Sequence, residues 1–398
     1  MIYFSILLVP ITIWFASSGL YIFIYSIAGT FWKSGKHSNP ESQLSWPKAI
    51  VMIPAYKEDA VIVNAAEAAV KHRYKGEHHV VVIADQLTNK ALTELKKLPL
   101  TLIEVEFDQS TKSKSINEAL AKLQDEFEML VLLDADNMME QEALNLFAKA
   151  FLNDKRAIQG QRTARTTNTH FSFLDGLSEE VNNHIYSKGA NALGGSSRLV
   201  GSGMAFDYQL FKSSMKEIDA VGGFDKALEL ALIDQGVFIH YLEEAIIYDE
   251  KVESSKVYSN QRKRWISAQY HYLGLNLKPG ILGLFRGKYD FFFKMLQLSL
   301  PPRLLFPIIL VFLTLSFAIT GWFNWALIYG VLSCFVVFAY AIAIPLQKWK
   351  EMDFKTIYAL FQAAWVTAMG LVKIKSANKT FIHTPHTGTE FQNQPHSS

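Results

Sequence analysis

The sequence predicts an α/β fold: a mostly parallel sheet covered by helices, set between flanking transmembrane helices. Three observations predict it. Residues 46–280 alternate short apolar runs with helix-like stretches, the pattern of βαβ units. Residues 1–32 and 304–347 carry no charged side chain. The whole chain of 398 residues is 50% hydrophobic and 19% charged. A soluble enzyme carries about 25% charged residues, and a full polytopic transporter would be far more apolar. A water-soluble domain with a few spans is the expected division.

Taken in order, residues 1–32 come first. At 1.5 Å per residue this run crosses a bilayer core of about 30 Å. It has no basic n-region and outlasts a secretory h-region, so an uncleaved span is expected rather than a signal peptide. In the domain of residues 46–280, Ala49–Ile53, Val80–Ala84, Leu102–Val105 and Met129–Leu133 are strand-like, and Glu58–His72, Lys90–Lys97 and Lys114–Phe127 are helix-like. Strands buried on both faces read as unbroken apolar runs, as these do. Residues 286–303 and 354–372 are apolar but short or interrupted, and are expected to lie in the membrane interface. Between them, residues 304–347 span about 66 Å as helix, enough for two crossings. Gly321-Trp322-Phe323-Asn324-Trp325 supplies a turn former and interfacial aromatics for the hairpin. Residues 376–398 form a polar tail, and its His383 and His386 read as solvated rather than metal-binding.

Lys33, Lys36 and Lys48 follow the first span, Arg286, Lys288, Lys294 and Arg303 precede the second, and Lys348 and Lys350 follow the third. The positive-inside rule then puts residues 33–303 and the tail in the cytosol of an integral plasma-membrane protein. The one cysteine, Cys334, excludes a disulfide scaffold. With 39 basic and 37 acidic side chains the net charge is +2, which gives no field for nucleic acid.

In a parallel sheet, ligands bind beyond the carboxyl ends of the strands. Polar residues gather there: Pro54-Ala55-Tyr56-Lys57-Glu58, Asp85-Gln86 and Asp134-Ala135-Asp136-Asn137. Neither GxxxxGK[ST] nor a strand-to-helix GxGxxG occurs, so a nucleotide diphosphate would need a metal to meet its charge. Asp134 and Asp136, at i and i+2, point the same way on extended backbone and suit Mg²⁺ or Mn²⁺. The plainer reading is two solvated acids in a turn. Gln261-Arg262-Lys263-Arg264-Trp265 is either a basic stripe at the lipid surface or a set in which Gln261 and Arg264 hold a diphosphate and Trp265 stacks on a sugar. Lys112 and Lys114 precede a helix start, where they are either solvated charges or help receive phosphate. Gly201-Ser202-Gly203 reads from its residues as a plain turn.

In this order, the motifs resemble the membrane-embedded family 2 glycosyltransferases. That superfamily includes cellulose, chitin and hyaluronan synthases and bacterial exopolysaccharide N-acetylglucosaminyltransferases. The resemblance runs from about Trp46 to Trp265 and extends to the flanking spans. It implies a GT-A-like, Rossmann-related sheet. It also implies that Pro54, Tyr56 and Glu58 cradle uridine and ribose, and that Asp85 recognises uracil. Lys112, with Ser115-Ile116-Asn117, looks like a diphosphate segment in which Ser113 replaces a glycine. Asp134 also falls among the donor contacts, and with Asp136 it matches the metal-binding Asp-x-Asp. Gly203 belongs to the loop lining the sugars, and Gln261, Arg264 and Trp265 match Gln-x-x-Arg-Trp. The family's base usually lies in Thr-Glu-Asp, whereas this chain has Gly223-Phe224-Asp225. Asp225 is the expected base and Glu229, one turn on, the reserve.

The implied activity is inverting, metal-dependent transfer from a UDP-sugar to a polysaccharide acceptor at the cytosolic membrane face, in cell-envelope or exopolysaccharide synthesis. Two alternatives stand beside it: single-sugar transfer to a lipid, and a catalytically silent UDP-sugar sensor or scaffold. Three spans are too few to enclose a polymer channel in one protomer. A homo-oligomer or an export partner would be needed for a polysaccharide.

Overall fold

The computed structural model describes residues 2–34, 45–124, 126–165, 167–252 and 255–371. The uncharged N-terminal run forms α1 (Ile2–Phe31), which carries Pro10 within one continuous helix. The sheet domain follows. β1 (Ala49–Tyr56), α2 (Ile62–Val70), β2 (His78–Asp85), α3 (Asn89–Leu95), β3 (Thr101–Val105), α4 (Lys112–Lys122) and β4 (Met129–Leu132) succeed one another as the alternation predicts. α4 begins two residues earlier than expected because Thr111 caps it, its hydroxyl accepting from Lys114 N at 3.2 Å.

These four strands lie side by side as β3-β2-β1-β4, all parallel. Their unbroken apolar runs are explained by period-two alternation between two buried faces. Ile50, Met52, Val81, Ile83, Leu130 and Leu132 pack in one core. Val51, Ile53, Val80, Val82 and Val131 pack in the other.

The chain then adds β5 (Met138–Met139), α5 (Ala143–Phe151), β6 (Ala157–Ala164) and α6 (His170–Asn182). α6 runs on through a π-helical segment, Asn183–Gly189, into α7 (Ala190–Ala192). β7 (Met204–Asp207), α8 (Tyr208–Lys216), α9 (Phe224–Asp234) and β8 (Ile239–Asp249) complete the eight-stranded sheet. β7 is antiparallel to both β4 and β6, β8 is parallel to β6, and β5 pairs antiparallel with β8 at the edge. The sheet is thus mixed, with four of its seven pairings parallel.

Beyond the sheet, α10 (Ser255–Phe285) is a single helix of 31 residues. It is followed by α11 (Tyr289–Ser299), α12 (Phe306–Ile319), α13 (Phe323–Ala343), α14 (Leu346–Glu351) and α15 (Phe354–Leu371). Among the described residues, two helices are long and apolar enough to cross a membrane, Leu8–Phe31 and Phe323–Ala343. The hairpin turns where expected, with Gly321 at φ 75°. Its first arm, however, has only 14 residues, or about 21 Å. Pro301 and Pro302 hold the chain out of helix, and Pro307 sits in the first turn of α12. Phe15, Ile22, Phe306, Leu310, Tyr329 and Val336 join α1, α12 and α13 in one apolar cluster. Phe312, Leu315 and Ile319 face outward uncovered. On α15, Phe354, Tyr358, Phe361 and Trp365 form an exposed stripe while Thr356, Ala359, Ala363 and Thr367 pack inward. The polar tail with His383 and His386 lies outside the described residues, as does Lys36.

Candidate active site

The ends of β1, β2 and β4, the loop before β7, the start of α9 and one face of α10 border a single cavity of about 1070 Å³. Pro54, Tyr56, Glu58, Asp85, Lys112, Asp134, Asp136, Asp225, Gln261, Arg264 and Trp265 all line it. Gly203 does not; its neighbour Gly201 does.

β1 ends in a backbone kink at Lys57, φ 56°, whose amide donates to Asp85 O at 3.1 Å. This ties the exits of β1 and β2 together. Asp85 is 1% exposed and accepts hydrogen bonds from Ser110 Oγ at 2.9 Å and Ser115 Oγ at 3.2 Å. Burial raises its pKa, and the two serine bonds offset that only in part. Ser113, where the resemblance leads one to expect glycine, is buried. Its hydroxyl donates to Ala220 O at 2.9 Å and accepts from Ala220 N at 3.1 Å, pinning α4 to the loop before α9.

Asp134 and Asp136 come together in a turn rather than on extended backbone, since Asn137 N donates to Asp134 O at 3.1 Å. The i, i+2 geometry predicted from a strand is therefore replaced, although both carboxylates still reach the cavity. Asp134 is ion-paired with Lys112, whose ammonium also donates to Gly201 O at 2.8 Å. Asp134 N donates to Ser202 Oγ at 2.8 Å, and Ser202 Oγ donates to Asn137 Oδ1 at 2.5 Å. Ser202 can lie there because Gly201 and Gly203 adopt φ 87° and 62°. A Cβ on Gly203 would stand 2.6 Å from Ile247 Cγ1. Buried Gln159, which the sequence did not single out, completes the loop by accepting from Val200 N and donating to Ser202 O, both at 3.0 Å.

Among the described residues, no group of three or more His, Cys, Asp or Glu side chains forms a metal cage. Two carboxylates on an open cavity, with Lys112 already balancing one, fit an ion that keeps waters and shares phosphate oxygens, as Mg²⁺ and Mn²⁺ do. The donor set therefore fits such an ion.

Asp225 occupies the first turn of α9, after Gly223 at φ 68°. Burial raises its pKa, but Lys226 at 3.4 Å from Oδ2 and the Arg198 guanidinium more than offset this, and the net direction is down. The helix N-terminus also favours the carboxylate. Glu229 lines the same cavity but is engaged differently. Its Oε2 accepts from Leu199 N at 2.8 Å and its Oε1 pairs with Lys294 at 2.9 Å, so both oxygens join α9 to neighbouring segments.

On α10, Arg262 and Arg264 are not a solvated stripe. Arg262 pairs with Asp175 at 2.6 Å, with its guanidinium 4.8 Å from the Tyr258 ring and 4.7 Å from the Trp265 ring. Burial lowers the pKa of Arg264, and the charges of Asp134 and Asp225 offset this only in part, so the net direction is down. A buried charge set in the cavity wall was not legible in the sequence. Arg162 pairs with Glu179 at 3.0 Å and Asp249 at 3.1 Å, and Lys251 pairs with Asp249 at 2.9 Å. A charged residue inside the polar run Gln159-Gly160-Gln161-Arg162 was its only trace.

A family model for glycosyltransferase-like family 2 matches residues 47–268. No curated protein matches the chain in sequence. Among solved structures, the mannosyltransferase PcManGT from Pyrobaculum calidifontis in complex with GDP-Man and Mn²⁺ is similar at 15% identity and TM-score 0.56, over 92% of this chain and 98% of that one. That share exceeds the sheet domain, so the likeness takes in flanking helices. S. aureus TarS in complex with UDP-GlcNAc is matched at 18% identity and TM-score 0.37, over 52% and 60% of the two chains. Glucosyl-3-phosphoglycerate synthase from Mycobacterium tuberculosis in complex with Mn²⁺, UDP and glucosyl-3-phosphoglycerate is matched at 13% and 0.37, over 55% and 78%. With the family model covering more than half its length and the GT-A architecture in place, the chain belongs to glycosyltransferase-like family 2 and is a glycosyltransferase.

Proposed function

We propose that the protein transfers a sugar from a UDP-sugar to an acceptor hydroxyl by in-line displacement with inversion, at the cytosolic face of the cell membrane. The observation that carries this reading is the convergence of Asp225, Arg264 and the Lys112–Asp134 pair on one cavity. Tyr56, Glu58 and Asp85 border the part of the cavity assigned to the nucleoside. Lys112 and Arg264 are the cations for the diphosphate. Asp225, held ionised by Lys226 and Arg198, takes the proton as the acceptor oxygen attacks the anomeric carbon. Lys112 and Arg264 stabilise the charge that develops on the departing diphosphate. Asp134 and Asp136 would hold a Mg²⁺ or Mn²⁺ ion, which when bound adds Lewis-acid stabilisation of the same leaving group. Trp265, fixed under the Arg262 guanidinium, offers a face for a sugar ring.

The silent-scaffold alternative is set aside by family membership and by the acid retained at Asp225. A growing glycan is the acceptor that the resemblance implies. One observation favours a lipid acceptor instead: the cavity continues beyond Gln261 to apolar side chains of α12, α13 and α15. In either reading α1 and α13 anchor the protein, and α15 lies along the membrane surface with its aromatic stripe in the headgroup layer.

The test is UDP release by the purified protein with Mn²⁺ from UDP-glucose, UDP-N-acetylglucosamine, UDP-galactose and UDP-glucuronate, repeated with Asp225→Asn. The variant is expected to lose turnover at least about a hundredfold while UDP affinity stays within a few-fold. Near-normal turnover in the variant would sink the assignment.

A further inference from the structure

Past the displacement site the cavity changes character. Besides Asp225 and Arg264 it is lined by Arg198, Tyr186 and Arg303, and by Leu304, Pro307, Ile308, Tyr340 and Leu360, which follow Arg303 in the chain or belong to the apolar helices. At the junction two guanidinium groups meet on one serine. Arg262 Nη2 donates to Ser178 Oγ at 2.9 Å, and Arg303 Nη2 donates to the same oxygen. Arg303 Nη1 donates to Asn182 Oδ1 at 2.8 Å and to Ser178 O at 3.0 Å. One carboxylate, Asp175, serves this pair, and it is bound to Arg262 at 2.6 Å. Arg303 makes no ion pair among the described residues. Burial and the neighbouring Arg262 charge both push its pKa down, so the cation is held against its preference.

At this junction Arg262 Nε is buried without a hydrogen-bond partner among the described residues, as are Tyr340 Oη, within electrostatic reach of Arg303, and Gln261 Oε1 elsewhere in the lining. Buried polar groups are nearly always paired in a working protein, so each points to a missing partner. An anion at the serine would answer the surplus charge and accept from the tyrosine hydroxyl at once.

We infer that this junction seats an anionic headgroup and that the acceptor is an amphiphile. Its phosphodiester lies on Arg303, Arg262 and Tyr340, its acyl chains run along Leu304, Pro307, Ile308 and Leu360, and a headgroup hydroxyl extends toward Asp225. This deepens the proposed transferase reading and rests on it. The headgroup oxygen bonds to the anomeric carbon as the bond from that carbon to the diphosphate oxygen breaks. The proton passes to Asp225, and the electron pair leaves with UDP. A soluble glycan would have no use for the apolar half of the cavity.

The test is lipid binding by the full-length protein in detergent, read by native mass spectrometry with phosphatidylglycerol as the probe and diacylglycerol of the same chains as the uncharged control. Phosphatidylglycerol is expected to bind about tenfold tighter, and Arg303→Gln to remove that advantage. Tyr340→Phe deletes a hydroxyl that holds nothing inside the protein, so folding is spared, and it is expected to weaken binding about threefold. Glycerol 3-phosphate in about hundredfold excess should not displace the lipid, because it lacks the apolar contacts. Equal binding of the two lipids, wild-type affinity in both variants, or displacement by equimolar glycerol 3-phosphate would each overturn the inference. Transfer of label from a UDP-sugar is followed in the same samples. Charge-dependent lipid binding without any UDP-sugar consumption would leave the headgroup seat standing and bring down the transferase reading. Transfer to a soluble oligosaccharide, with lipid binding indifferent to Arg303, would do the reverse.

Discussion

Asp225 and Glu229 stand one turn apart on α9, and only their surroundings separate them. Both line the cavity, but Asp225 lies beside two cations, whereas Glu229 is bound through both oxygens. Glu229→Gln leaves Lys294, whose side chain is 4% exposed, without its counter-charge. Breaking a buried pair costs about 3–5 kcal/mol, so a marked fall in the thermal midpoint is expected with UDP binding retained. A native midpoint with abolished turnover would move the base to Glu229. The pH profile separates Asp225 from Asp85 by sign. The pKa of Asp225 is lowered, so its base form persists as the pH falls into the ordinary carboxylate range. That of Asp85 is raised, so its charge is lost first. On acidification the donor KM should therefore rise before kcat falls, and the opposite order in initial-rate measurements would contradict the roles given to these two acids. The acids were legible in the sequence because strand ends and motif order marked them. Arg198 and Arg303 were not. Arg303 read only as a flanking positive charge, since its burial depends on α6, more than a hundred residues away.

The first four strands were legible for the same physical reason that makes them stable: both faces are buried, and the apolar run is unbroken. β6 and β8 were not, because they carry the polar Gln159, Arg162 and Asp249 inward, the last two into the cavity wall. The glycine loop before β7 was legible only as a turn, yet its geometry decides where Ser202 and Asp134 stand. Gly203→Ala must adopt φ 62° and meet Ile247 at 2.6 Å. Left-handed backbone alone costs an alanine about 1 kcal/mol, and overpacking adds about 1–3 kcal/mol. Because the strain falls on the loop beneath Asp134, UDP affinity with Mn²⁺ is expected to drop together with the thermal midpoint. Calorimetric titration of the purified variant checks this, and full affinity would mean that the loop does not position the carboxylate.

Sheet domain and apolar helices are joined through close contacts rather than a linker. His184 Nε2 lies 2.8 Å from Ser26 O, a side chain on Gly189 would collide with the Tyr25 backbone, and Arg303 holds α6 at the foot of α12. The π-helical segment carries the first two of these contacts, which accords with the tendency of such segments to mark functional sites. With the domain fixed to the helices, the proposed membrane placement ties its side of the bilayer to theirs. α12 is short for a crossing: its 14 residues make about 21 Å, against about 30 Å of hydrocarbon. Local bilayer thinning or the extended residues before Phe306 must make up the difference if it crosses. Cysteine labelling decides the matter, because the native Cys334 is the only thiol to remove. In a Cys334→Ser background, Lys90→Cys on the exposed side of the sheet domain should react with a membrane-impermeant maleimide only after cells are opened. Asn324→Cys at the hairpin should react in intact cells. If both react only after opening, α12 does not cross, and the hairpin lies on the same side as the active site.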